Sequence, residues 1–184
     1  MIYITSDTHF GHWRICEYCN RPFKSVGEMN DTIINNFNSV ITPEDTLYHL
    51  GDFCMGGNYD YVVSLMNRIN GKKICLLGNH DRKKFFRQMV ADKVIESCHD
   101  TLGITINGQY CWLAHYPHIS WDQSARGSWH AYGHVHNRLL GKENGLSTDT
   151  GVDAWNFFPV SFEQFAAKIS KIKEKLDAQE RVIL

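Results

Sequence analysis

Five apolar, strand-like runs in this chain each end on an Asp, His or Asn, and that recurrence limits the folds open to it. The ends are Asp7 with His9, Asp52, Asn79 with His80, His115, and His134 with His136. In open α/β sheets the loops leaving the carboxyl ends of strands gather along one edge, where ligands bind. One such cluster says little. A lone His is usually hydrogen-bonded in a wall, Asp7-x-His9 alone reads as a loop cap, and Gly51-Asp52 alone as a turn. Five clusters at the same kind of place, with only oxygen and nitrogen donors, are hard to attribute to turns.

The segments between these ends set the layout. Met1–Thr5, Thr46–Leu50 and Lys73–Leu77 read as buried strands. Ser25-Val26-Gly27-Glu28 fits a capping box and predicts a helix to about Asn38, with Met29, Ile33, Ile34 and Phe37 as its apolar stripe. Helices are also expected over Tyr61–Ile69, stopped by Asn70-Gly71, and over Lys83–Ala91. The second half changes character: Ile104–Ala114 alternates around Asn107-Gly108, a strong hairpin signal. Trp129–Tyr132 is a short strand delivering Gly133-His134-Val135-His136. A last helix starts at Ser161, with Gln164 in the capping-box position, and its Lys-rich amphipathic length, Phe162–Glu180, is expected to pack on the core. No repeat, low-complexity tract or linker interrupts the pattern. With 184 residues, enough for one substantial core and short for two, the chain reads as a single domain over 1–184.

Charge and cysteine content exclude several classes. A formal net charge of −1 argues against strong nucleic-acid binding, which lives on a basic excess and counterion release. The run Arg82, Lys83, Lys84, Arg87 reads as a solvated helix face. Met1–Phe10 lacks the basic start and long apolar stretch of a signal peptide, and no run approaches the ~20 apolar residues of a membrane span. The six scattered cysteines lack the density of a disulfide scaffold, so a cytoplasmic location with reduced thiols is expected. Cys16 and Cys19 have C-x-x-C spacing, but no second pair or strand-helix context makes them a zinc or redox motif.

The strand-end residues suit metal better than a core. Seven of them, Asp7, His9, Asp52, Asn79, His115, His134 and His136, are too many for one four-coordinate zinc. They match two five- or six-coordinate ions sharing a bridging carboxylate. Against the two carboxylates, Asp7 and Asp52, two divalent cations leave a surplus of positive charge that attracts phosphate oxygens. Mixed His/Asp/Asn ligation favours manganese, with iron, zinc and nickel as alternatives, over calcium. Without metal, carboxylates and imidazoles crowded together would carry a desolvation cost of several kcal/mol.

The order D-x-H, G-D, G-N-H-D, a lone His and G-H-x-H resembles the calcineurin-like metallophosphoesterases, with the motifs running from Asp7 to His136. D-T-H-F-G-H, N-R-P-F at Asn20–Phe23, Y-H-L-G-D-F and G-V-D-A-W-N-F-F-P-V-S are similar to a subgroup of small bacterial and phage members. The resemblance implies an α/β (α+β) fold of the metallo-dependent phosphatase type. That is a two-layer mixed β sandwich flanked by helices, with a dinuclear site on the loop edge. By the same resemblance Asp7, His9 and His136 bind one ion, Asn79, His115 and His134 the other, and Asp52 bridges them. His80 would contact phosphate and protonate the leaving group, Asn79 would also face substrate, and Asp81 is expected to orient His80. His12 and Arg14, in the loop opening toward the site, are expected to touch substrate, and Arg21 and Trp13 to shape specificity. The split of His134 and His136 between two ions has a structural corollary. In a regular strand both rings share a face, so the segment must bend there.

The chemistry implied is hydrolysis of a phosphoester by a hydroxide bridging two metals, without a covalent phospho-enzyme. A chain lacking an inserted cap suggests an open site and a small phosphodiester substrate, a nucleotide or cyclic nucleotide. The alternatives are a phosphomonoesterase, including a protein phosphatase, and a non-catalytic scaffold of the same fold. Against the protein phosphatase, G-D-x-x-D-R-G is absent: Phe53-Cys54-Met55-Gly56 follow Gly51-Asp52.

Overall fold

A computed structural model describes residues 1–183, with side chains to residue 179. Among the described residues nine strands form two sheets. The first takes β1 (Ile2–Thr5), β2 (Thr46–His49), β3 (Lys72–Leu76) and β4 (Ser97–His99) in parallel. The second takes β5 (Thr101–Ile106), β6 (Gln109–Ala114), β7 (Trp129–Tyr132) and β8 (Ser147–Asp149). A two-residue strand, β9 (Val160–Ser161), returns antiparallel to β1, giving the orders β4-β3-β2-β1-β9 and β5-β6-β7-β8. Only β5–β6 is antiparallel in the second sheet; β6, β7 and β8 run parallel.

Alternation along β1 shows how the layers stack. Tyr3 packs into a core with Met29, Ile33, Phe37, Leu65 and Phe86, against the helices. Its neighbour Ile4 faces the other way, joining Leu76, Leu113, Ala131 and Phe165 between the sheets. The helical face is built by α1 (Arg14–Tyr18), α2 (Val26–Val40), α3 (Tyr59–Asn67) and α4 (Lys83–Ala91). The last helix, α5 (Phe162–Ile183), packs Phe165, Ile169 and Ile172 into the inter-sheet core. The sandwich flanked by helices implied by the family resemblance is therefore the observed architecture. No helix among the described residues is long and apolar enough to cross a membrane.

Local signals held where the chemistry was specific. Ser161 Oγ accepts from Gln164 N and Gln164 Oε1 from Ser161 N, a reciprocal box at the start of α5. Ser25 caps α2 through Glu28 N, but Glu28 reaches past the cap to Lys24 N. Asn107 and Gly108 both have positive φ (50° and 82°), the mirror-image turn a tight hairpin needs. α3 starts two residues before the expected Tyr61 because Asn58 accepts from Tyr61 N and caps it. The short elements α1, β4, β8 and β9 carry no such signal and were not expected.

Candidate metal centre

Asp7 and His9 leave β1, Asp52 leaves β2, Asn79, His80 and Asp81 leave β3, His115 leaves β6, and His134 and His136 leave β7. All lie at carboxyl ends of parallel-paired strands, and the two sheets bring them together. Ligating atoms of Asp7, His9 and His136 lie within 4.8 Å of one another, and so do those of Asp52, His115 and His134. Asp52 Oδ2 stands between the trios, 3.5 Å from His9 Nε2 and 3.5 Å from His115 Nε2. Asn79 Oδ1 lies 3.2 Å from His115 Nε2.

The backbone is forced to aim these groups. Asp7, His9, Asp52, His134 and His136 all have left-handed φ (57°, 50°, 55°, 68° and 49°). Each non-glycine residue held there costs about 1–3 kcal/mol, so the surroundings must over-determine the loops. Asp7 N donates to Gly51 O and His9 N to Asp52 O, both at 3.0 Å, lacing the β1 and β2 loops together. The bend required of the His134–His136 segment is present as two left-handed residues flanking Val135.

Each carboxylate spends one oxygen on the scaffold and presents the other. Asp7 Oδ2 accepts from Ser6 Oγ (2.6 Å) and His134 N (2.8 Å), and Asp52 Oδ1 accepts from His80 N (2.9 Å). A glycine backs each of them. A side-chain carbon on Gly133 would lie 2.3 Å from Asp7 Oδ2, and one on Gly78 would lie 2.1 Å from Asp52 Oδ1.

The presented atoms fit a cation. Asp7 Oδ1 and both ring nitrogens of His9 are buried without a hydrogen-bond partner among the described residues. His115 Nδ1 lies 3.0 Å from Leu50 O, which can only accept, so Nδ1 carries the proton and Nε2 turns a lone pair on Asn79 and Asp52. Burial raises the Asp7 carboxyl to about 7, His136 and Ser6 only partly offsetting it. Burial, with His136 and Arg21 nearby, drives His9 well below the usual imidazole range. Buried polar atoms left without hydrogen-bond partners are unfavourable alone and suited to divalent cations.

An outer relay backs the first trio and carries no local sequence signal. Asp153 Oδ2 lies 2.7 Å from His136 Nδ1, and Arg21 grips Asp153 through Nε–Oδ1 and Nη2–Oδ2, both 2.8 Å. Arg21 also donates to the carbonyls of Asp7 (2.7 Å) and Thr8 (2.9 Å). Burial lowers the His136 pKa, but hydrogen bonds to Asp153 and Cys19 and the charge of Asp7 outweigh it and raise it to about 10. Arg21 therefore does not shape specificity as expected: its guanidinium is buried and fully engaged. The N-R-P-F and G-V-D-A-W stretches held the clue, one basic and one acidic residue, 132 positions apart.

Asp81 also corrects an expectation. Its oxygens accept from the backbone N–H groups of Asp52 (2.7 Å), Phe53 (3.0 Å) and Gly78 (2.9 Å) rather than from the His80 ring. It pins the β2 loop to the β3 loop. Cys16 and Cys19 diverge: Cys16 Sγ packs on Met29 Sδ in the core, while Cys19 lies near His136 and Asp153.

The centre opens into a cleft of about 420 Å³. His12, Arg14 and His80 line it, as do Tyr18, Met55 and Arg138, which had not been singled out. The His80 ring lies 5.4 Å from that of His9, and the His12 ring 6.3 Å from that of His80. Trp13, 40% exposed, is not part of the lining.

Comparison with known proteins gives one family model and several similar chains. The family model described as calcineurin-like phosphoesterase matches residues 1–166. An uncharacterized protein of Methanocaldococcus jannaschii is 35% identical over 180 residues, 94% of this chain and 93% of that one. The gene 66 protein of Mycobacterium phage L5 is 35% identical over 81 residues, 43% of this chain and 39% of its own length. A crystal structure of a protein of unknown function from Aquifex aeolicus superposes with a TM-score of 0.70 at 28% identity, covering 94% of this chain and 98% of that one.

Proposed function

The chain belongs to the calcineurin-like phosphoesterase family, and from that premise we propose that it is a dinuclear phosphodiesterase acting on a nucleotide or cyclic nucleotide. The observation that carries the two-ion reading is the placement of Asp52 Oδ2, 3.5 Å from an imidazole of each trio. In this reading Asp7, His9 and His136 hold one ion, Asn79, His115 and His134 hold the other, and Asp52 serves both. Two divalent cations there, manganese by preference, would supply an acidified water for direct attack and neutralise charge on the phosphoryl oxygens.

The chain's own groups do the rest. His80 is exposed on the cleft wall, its backbone fixed by Asp52 Oδ1, so its ring can reach a leaving-group oxygen and give it a proton. Arg14 and Arg138 place two cations in the same cleft, where they would bind the non-bridging oxygens of a diester. Tyr18 and Met55 give the cleft apolar surface for the organic arm of the substrate. His12 stands between the rings of His9 and Tyr18, 5.6 and 6.3 Å away, and would narrow the entrance for a small substrate.

The test is a panel of mono-, di- and cyclic phosphoesters assayed with manganese, nickel, zinc and magnesium. Manganese-dependent turnover of a nitrophenyl diester and of nucleotide diesters, faster than of the monoesters, is expected. Faster monoester turnover would replace the diesterase reading with a monoesterase. Silence with every ester and metal would leave a scaffold.

A further inference from the structure

A second cavity, of about 360 Å³, lies between α5 and the loop that follows His136. Its size falls in the range of about 300–1,000 Å³ typical of small-molecule pockets. The walls are apolar and partly aromatic: Tyr132, Leu139, Leu140, Ala154, Trp155 and Ala167. Trp155 is held in place, its Nε1 donating to Asp149 O at 2.9 Å, so a flat wall exists before any ligand arrives.

The charged groups of its lining are two lysines and two acids, and they differ in how far they are already engaged. Lys168 and Lys171 line the cavity from one face of α5, and Lys175, one turn on, lines an adjoining groove with both of them. Opposite stands Glu143, 3.9 Å from Lys168. Lys171 and Lys175 have no ion pair among the described residues. The other acid in the wall, Asp149, is 6% exposed, and its oxygens accept from the N–H groups of Gly151 and Asn137, each at 2.7 Å. Its oxygens are thus already taken by backbone donors, which leaves Lys171 as the lining charge without a partner among the described residues.

The cavity also touches the proposed active site through the chain. Asn137, in its wall, directly follows His136, and Asp149 holds Asn137 N. Tyr132, in its floor, begins the run through Gly133 to His134.

We propose that this cavity is a second ligand site, taking a small organic anion with an aromatic body, and that its occupancy biases the His134–His136 loop. The ring would lie against Trp155 among the leucines, with its carboxylate or phosphate toward Lys171. Because affinity coupling is reciprocal, such a ligand must alter metal or substrate binding if they alter its own.

The probe is 2-naphthoate, an aromatic carboxylate with no ester to hydrolyse. Isothermal titration of the full metal-loaded chain should show saturable binding. Ala167→Trp, which fills the cavity from an exposed position, and Lys171→Glu, which reverses its charge, should each weaken binding roughly tenfold or more, the worth of one charge-assisted contact or one lost wall. Naphthoate should also change diester turnover at least about twofold in the wild type and not in Ala167→Trp. Circular dichroism of both variants should match the wild type. Binding unchanged in both variants would place the anion elsewhere, at the metal centre for example, and overturn the proposal, as would no binding at all. Unchanged turnover with normal binding would overturn the coupling. A dimer in sedimentation that Ala167→Trp dissolves would assign the groove to a second copy and also overturn it. Because calorimetry reads binding without turnover, failure of the phosphodiesterase reading would leave this result interpretable.

Discussion

Asp7, His9 and His136 on one side and Asp52, His115 and His134 on the other are similar trios, one acid and two imidazoles, set in unlike surroundings. The first is braced by side chains: His136 leans on Asp153, Asp153 on Arg21, and Arg21 returns to the Asp7 carbonyl. The second is braced by backbone: His115 rests on Leu50 O, and His134 is half-buried beside the Tyr116 ring. Burial together with neighbouring imidazoles lowers the pKa of His134, and burial lowers that of His115, so both are ready as neutral ligands near pH 7. In the proposed two-ion reading His136, its pKa raised to about 10, would give up a proton on binding its ion. The difference predicts two sites with different affinity, pH response and sensitivity to mutation.

The largest effect should come from removing what the trios share. Asp52→Ala is expected to lower metal content at both sites and reduce turnover beyond the ~10²–10⁴-fold that loss of a proton donor alone costs. Metal analysis by mass spectrometry alongside kinetics checks it; two ions retained with half the wild-type rate would remove Asp52 from the bridge. His80→Ala belongs to neither trio. It should keep both ions and lose ~10²–10⁴-fold in kcat for poor leaving groups, and less for nitrophenolate, which needs little protonation. Equal losses for both esters would exclude the proton-donor role.

The side-chain brace gives the next test. Asp153→Asn should weaken the first ion by about 10–100-fold while leaving the second nearly untouched, as loss of an outer partner does. The sign of its pH dependence follows from His136. With its pKa raised to about 10, the ring is protonated at pH 7, so affinity for the first ion should rise with pH, by up to about tenfold per unit, until that pKa is passed. Asparagine removes the raising charge, so the slope between pH 7 and 9 should flatten. The second ion, bound by imidazoles already neutral, should show little slope in either protein. Stepwise manganese titration followed by electron paramagnetic resonance reads both; equal slopes for the two ions would erase the comparison.

What could be read in advance follows the same divide. The ligand candidates were legible because metal chemistry restricts residue type and parallel strands restrict place. Asp7, Asp52 and His115 each announce themselves at the end of an apolar run. Asn107-Gly108 and Ser161 with Gln164 were legible because turn and cap geometry select residues locally. Arg21 and Asp153 were not, since their ion pair spans 132 positions and obeys no period. Asp81 misled for a related reason. Its place next to His80 suggests a ring partner, but three backbone N–H groups converge on it only after β2 and β3 have paired. Short β8 and β9 exist because β7 and β1 offer them an edge, which local sequence cannot reveal.

The smallest effect tests whether the second trio has any side-chain brace. Tyr116 is 45% exposed, and its ring packs 4.6 Å from that of His134 and 4.9 Å from that of His115, both edge-on. Such pairs contribute about 0.5–1.5 kcal/mol. Tyr116→Leu keeps apolar cover but loses the aromatic edge, so the second ion should bind roughly 2–10-fold more weakly, with the first unchanged. His115 would remain aimed by Leu50 O, which no side-chain substitution removes, and this is why the loss stays below that of Asp153→Asn. If Tyr116→Leu instead weakened the first ion, or weakened the second by 100-fold, the backbone-braced trio would depend on its side-chain neighbour as heavily as the other depends on Asp153. The two sites would then differ in degree of burial rather than in kind of support.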